Sequence, residues 1–93
     1  MGSYNYNVIL RATAEHDVRK LGAPHIARIY AALKSLEEDP YPHGYRKLRV
    51  SGKRGLLRIR VGNYRIIYTV DEALKQVLVY YVRIRDASTY KKL

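Results

Sequence analysis

The run Leu57-Arg58-Ile59-Arg60-Val61-Gly62-Asn63-Tyr64-Arg65-Ile66-Ile67-Tyr68 reads as two short strands joined by a two-residue turn. Apolar and basic residues alternate on both sides of Gly62-Asn63, and a pair of this kind between two alternating runs is a tight hairpin signal. Register follows from loop length: Val61 faces Tyr64, Arg60 faces Arg65 and Ile59 faces Ile66. Arg58, Arg60 and Arg65 then share one face. Leu57, Ile59, Val61, Tyr64, Ile66, Tyr68 and Val70 turn to the other, where helices can cover them. Like charges opposed on neighbouring strands cost up to about 1 kcal/mol, so an anionic occupant such as phosphate is the natural reason to keep them there. The plainer alternative is that the arginines only keep one sheet face solvated.

Working outward, the spacing predicts a first strand from Tyr4 to Leu10, with period-two alternation. Thr13 is read as the N-cap of a short helix, with Ala14, Val18 and Leu21 on one side and a stop at Gly22. Pro24 suits the first turn of a second helix, whose Ile26, Ile29, Tyr30, Leu33 and Leu36 form an apolar stripe. The two prolines of Asp39-Pro40-Tyr41-Pro42-His43-Gly44 end that helix in a loop. An edge strand from Tyr45 to Val50 follows, then a basic loop from Ser51 to Gly55 in which Gly52 and Gly55 flank Lys53-Arg54. Beyond the hairpin, a polar turn at Asp71 to Gln76 leads to a last strand from Val77 to about Ile84. The expected order is βααββββ, with room for a short C-terminal helix. This is an α+β fold in which a helical hairpin packs on a small, mainly antiparallel sheet.

Ninety-three residues are enough for one domain, residues 1–93, and one modest core. Met1-Gly2-Ser3 carries no weight in this reading. The chain holds 18 Lys and Arg against 8 Asp and Glu, a formal charge of +10. From Pro40 to Val70 there is no acid, while Arg46, Lys47, Arg49, Lys53, Arg54, Arg58, Arg60 and Arg65 all fall there. A phosphate-rich or acidic partner is implied. Cysteine is absent, which removes disulfides, thiolate metal ligation and cysteine nucleophiles, and suits a reducing cytoplasm. No apolar run approaches the roughly 18 residues of a membrane span, so no membrane partner is expected.

The three histidines have no ligand spacing, and no metal site is expected. His16 and His25 fall on the helices as surface or capping residues. His43, in the loop, reads first as a surface residue, with approach to a substrate as the alternative. Downstream, Arg83, Arg85 and Tyr90 form a C-terminal cluster that Lys91 and Lys92 extend. In a chain with 10 tyrosines, Tyr90 taken alone reads as a packing residue.

The hairpin, with Lys47-Leu48 upstream and Val82-Arg83-Ile84-Arg85 leading to Tyr90 downstream, resembles the RelE/ParE toxin superfamily, and the resemblance runs from Tyr4 to Tyr90. It implies a RelE-type toxin: a ribosome-dependent mRNA endonuclease without cofactor, monomeric within a hetero-oligomer with a RelB-like antitoxin. Carried over residue by residue, the catalytic positions are Arg58, Arg60, Arg65, Arg85 and Tyr90. Arg65 and Arg85 would clamp the scissile phosphate, while Arg58 and Arg60 support the developing charge. Arg46, Lys47, Arg49, Lys53, Arg54, Arg83, Lys91 and Lys92 would bind the RNA backbone. The best-known members have two lysines where this chain has Arg58 and Arg60, and arginine hardly exchanges protons. The proton roles therefore stay open: Tyr90 transfers a proton, or stacks on a base while substrate and water do so. Two other readings share the scaffold, a ParE-like non-enzymatic inhibitor of DNA gyrase and an inactive RNA- or ribosome-binding module.

Overall fold

The computed structural model describes residues 5–49, 52 and 54–84. Its elements are β1 (Asn7–Leu10), α1 (Ala12–Arg19), α2 (Ala23–Glu38), β2 (Arg46–Lys47), β3 (Leu57–Val61), β4 (Tyr64–Asp71) and β5 (Gln76–Ile84). They form one five-stranded sheet in the order β1-β5-β4-β3-β2. Only β1 and β5 run parallel, so the sheet is mainly antiparallel as the sequence predicts.

The hairpin has the expected register, with Val61 opposite Tyr64, Arg60 opposite Arg65 and Ile59 opposite Ile66. At its turn Gly62 has φ of 59°, while Asn63 keeps a negative φ. A left-handed first position alone is the type II′ pattern, and glycine adopts it without strain. Leu57, Ile59, Ile66 and Tyr68 meet Ala14 and Val18 of α1 and Ile29, Leu33 and Leu36 of α2 in the core, to which β5 adds Val77, Val79 and Val82. The buried Tyr68 hydroxyl donates to the Pro40 carbonyl at 2.6 Å, which gives its polar end a partner and pins the loop after α2.

Three local expectations are corrected. Thr13 is not the N-cap of α1: Arg11 holds that position without a side-chain cap. The Thr13 hydroxyl donates instead to the Tyr80 carbonyl at 2.5 Å. Tyr30, placed on the apolar stripe, is 51% exposed, while Ile29, Leu33 and Leu36 are buried and Ile26 packs partly buried against the core. Of the edge strand expected from Tyr45 to Val50, only Arg46–Lys47 is strand among the described residues, followed by one further backbone bond from Leu48 N to Leu56 O at 2.8 Å; Val50 lies outside them. The first strand, expected from Tyr4, begins only at Asn7, with Asn5 and Tyr6 in a bend before it; Tyr4 and a C-terminal helix lie outside the described residues.

The first helix also closes an open edge. The pairing of β1 with β5 ends at Leu10 and Val79, and among the described residues no strand pairs with the rest of β5 on that side. Thr13 takes up Tyr80, and the Asp17 carboxylate accepts the Val82 backbone N–H at 3.0 Å. Short helical side chains thus satisfy the ladder groups that a bare edge would expose. Replacing Asp17 by alanine is expected to cost about 1–3 kcal/mol, the range for stranding a buried donor. Urea denaturation would check this; a loss below about 0.5 kcal/mol would show that the edge needs no cap.

Candidate nucleic-acid interface

Arginine side chains collect on the sheet face away from the helices because three strands place them in register. Arg60 pairs with Arg65 and Arg65 with Arg83, a row of three across β3, β4 and β5. In the neighbouring row Arg46 pairs with Arg58, Arg58 with Ile67 and Ile67 with Tyr81.

The third arginine reaches this face through a β-bulge. Ile67 opposes Tyr81 but Tyr68 opposes Val79, so Tyr80 is an extra residue in β5. Before it, Val77 and Val79 turn to the core; after it, Val82 does, and Tyr81 and Arg83 turn to the basic face. Unbroken alternation would have sent Tyr81 and Arg83 inward. A bulge that re-aims a side chain is a usual device next to functional sites.

The row is not uniformly exposed. Arg58 and Arg65 are each only 9% exposed, whereas Arg46 and Arg60 are exposed. Ile67, fully buried, lies on this face between Arg58 and Tyr81. Partial burial lowers the local dielectric and strengthens the attraction of an arginine for an approaching phosphate. Arg83 is already engaged: its Nε donates to Asp17 at 3.2 Å, and its guanidinium lies 4.3 Å from the Tyr81 ring centroid. Asp17 and Tyr81 are absent from the sequence reading. The change of spacing from Val77-Val79 to Val82 is the signal that could have exposed the bulge, but nothing local pairs Asp17 with Arg83.

Of the other expected nucleic-acid residues, Lys47 is exposed in β2, and Arg49 and Arg54 are exposed in the loop leading to β3. Arg85 and Tyr90, expected to be catalytic, and Lys53, Lys91 and Lys92, expected to bind RNA, lie outside the described residues. His16 and His25 are exposed on the helices, as expected, with the His25 ring 5.3 Å from that of Tyr64. His43 lines a groove of about 500 Å³ between α2 and β3, together with Ser35, Arg46, Arg58 and Arg60. Among the described residues no three metal-ligating His, Asp or Glu side chains cluster, and no helix is long and apolar enough to cross a membrane.

The domain is thus a small sheet packed against two helices on one side, with arginines in register across the other. A family model described as the ParE toxin of the type II toxin-antitoxin system, parDE, matches residues 8–89. The chain belongs to this toxin family, within the RelE/ParE superfamily, and is the toxin of a toxin-antitoxin system. Among solved structures it is similar to the RelBE2 toxin-antitoxin complex of Mycobacterium tuberculosis, with 27% identity, a TM-score of 0.77, and coverage of 87% of this chain and 99% of that one. The archaeal RelE-RelB complex of Pyrococcus horikoshii is also 27% identical, with a TM-score of 0.77 over 89% of this chain and 98% of that one. The isolated RelE toxin of E. coli is 25% identical, with a TM-score of 0.73 over 94% of this chain and 92% of that one. No curated protein matches the sequence.

Proposed function

We propose that this toxin is a ribosome-dependent endoribonuclease that cleaves mRNA in the decoding site, with arginines rather than a metal ion stabilising charge. The observation that carries the reading is the registered row Arg60, Arg65 and Arg83 beside Arg46 and Arg58. Cleavage by the RNA's own 2′-hydroxyl passes through a phosphorane that gains negative charge, and guanidinium groups fixed on a rigid sheet meet that charge without reorganising. Arg65 lies at the centre of the row, so it binds a non-bridging oxygen of the scissile phosphate, with Arg58 and Arg60 supporting the developing charge. Arg85 joins that clamp, and Tyr90 stacks on a base or transfers a proton. Arg46, Lys47, Arg49, Lys53, Arg54, Lys91 and Lys92 follow the RNA backbone. Arg83, tied to Asp17, contributes field more than direct contact.

The whole chain acts as one toxin domain in the cytoplasm, where its target is found. A RelB-like antitoxin holds it as a monomer within a hetero-oligomer, through a segment that wraps the basic face or displaces the C-terminal element. Affinity for single-stranded RNA is expected to fall roughly 50-fold between 50 and 200 mM salt, if Arg46, Arg58, Arg60 and Arg65 each neutralise one phosphate. A fluorescence-anisotropy titration would read this, and a salt-independent affinity would remove the basic face as the site.

A second reading has its own support, since the family model that matches is that of the ParE toxin. On that reading the basic face binds gyrase and breaks no bond. Two assays on antitoxin-free protein separate the readings: cutting of mRNA with and without ribosomes, and supercoiling by purified gyrase. Ribosome-dependent cutting with normal supercoiling supports the endonuclease; inhibited supercoiling with intact mRNA supports the gyrase inhibitor.

A further inference from the structure

We propose that His43 is the general base of this site, accepting the 2′-hydroxyl proton of the nucleotide bound in the groove beside β3. The inference rests on the endonuclease reading above. Arg58, Arg60 and Arg65 supply charge but hardly move protons. A base must therefore come from a neighbouring element. Among the described side chains lining the groove with Arg46, Arg58 and Arg60, His43 alone is of a type that exchanges protons near neutral pH. Ser35, across the groove on α2, donates its hydroxyl to the Ala31 carbonyl at 3.1 Å.

The loop carrying His43 is held on both sides. Tyr45 N donates to the Pro42 carbonyl at 3.0 Å, closing a turn whose central residues are His43 and Gly44. Gly44 has φ of 95°, and a left-handed glycine at the second central position marks a type II turn. Upstream, the Tyr68 hydroxyl pins the Pro40 carbonyl, and Tyr41 N donates to Asp39 Oδ1 at 2.9 Å. The Tyr41 hydroxyl donates to the Glu72 carboxylate, which also accepts from Tyr6 at 2.8 Å and Lys75 at 3.1 Å. Tyr41 meets Tyr45 edge-on, with ring centroids 5.7 Å apart. These contacts from the segment before β1, the turn after β4 and the core leave His43 exposed beside the arginines. A catalytic group needs such fixed placement, and the endonuclease reading otherwise gives this cluster no task.

The anchor does not itself titrate near neutrality. The hydrogen bond to Glu72 pushes Tyr41 up to about 12, and the donors from Tyr41, Tyr6 and Lys75 hold Glu72 below the usual carboxylate range. Among the described residues, the charged or titratable groups that share the groove with His43 are Arg46 on β2 and Arg58 and Arg60 on β3, with Asp39 and Tyr45 nearby along the same loop; Ser35 is the polar side chain that α2 brings to the groove. In the step, the neutral imidazole takes the 2′-hydroxyl proton as the 2′-oxygen bonds to phosphorus. The bond from phosphorus to the 5′-oxygen breaks, and that oxygen takes a proton from water. The imidazolium returns its proton to the resulting hydroxide. The products are a 2′,3′-cyclic phosphate and a 5′-hydroxyl.

The test is single-turnover cleavage of ribosome-bound mRNA by wild type, His43→Ala and His43→Gln across about pH 5.5 to 8.5. Both variants are expected to bind ribosomes normally and cut about 10²-fold more slowly, the lower end of general acid–base effects. The acidic fall-off in the wild-type rate should vanish in them, and added imidazole should restore His43→Ala. Wild-type rates in both variants, or slow variants that keep the wild-type pH profile and ignore imidazole, would overturn the inference and leave the endonuclease intact. A folded wild type that cuts nothing would overturn both.

Discussion

Alanine at Arg65 is expected to slow mRNA cleavage about 10²- to 10³-fold, the effect of removing one preorganised charge-stabilising donor from a water-poor site. Arg65 stands between Arg60 and Arg83 and is nearly buried, so no neighbour can replace it without shifting a strand. Its removal should cost the fold little. The lost packing is offset by relief of like-charge opposition, worth up to about 1 kcal/mol across each strand pair. Single-turnover rates beside a thermal melt would read both quantities. A variant that melts near the wild-type temperature but cuts at least 10²-fold more slowly is the expected outcome. Undiminished cutting would take Arg65 out of the chemistry.

One residue along, the balance reverses. Ile66 is fully buried in the middle of β4, opposite Ile59 and Val82, on the face covered by the helices. Ile66→Ala is expected to lower stability by about 3 kcal/mol, within the range for large-to-alanine changes at sites that cannot collapse. For a domain of this size that corresponds to a fall in Tm of roughly 12–24 °C. Whatever remains folded should cut at close to the wild-type rate. Loss of activity from Ile66→Ala without loss of stability would mean that the two faces do not divide the work in this way.

That division was legible because it depends on local rules. A two-residue loop fixes register, register fixes faces, and so the pairing of Arg60 with Arg65 and the core positions Ile59, Ile66 and Tyr68 followed from the hairpin sequence alone. What was not legible depends on contacts distant in sequence. Thr13 has the chemistry of an N-cap, but β1 ends early and the bare carbonyl of Tyr80 claims its hydroxyl. Arg83 was placed with the nucleic-acid residues as part of a C-terminal basic cluster and through the resemblance. Its orientation depends on the extra residue Tyr80 and its ion pair on Asp17, 66 positions away. The burial of Arg58 and Arg65 was equally hidden, since strand alternation gives the face a side chain takes and not what covers it. His43 was weighed as a surface residue because the turn that sets it beside Arg46, Arg58 and Arg60 is fixed by Tyr68 and Glu72, well downstream.

The most direct measurement is primer extension on a defined mRNA held in purified ribosomes, comparing antitoxin-free wild type with Arg65→Ala. Discrete cuts within the decoding-site codon, lost with Arg65→Ala, are the expected result. An intact message with folded wild-type protein, or cuts that persist unchanged in Arg65→Ala, would contradict the arginine face as a site of RNA cleavage.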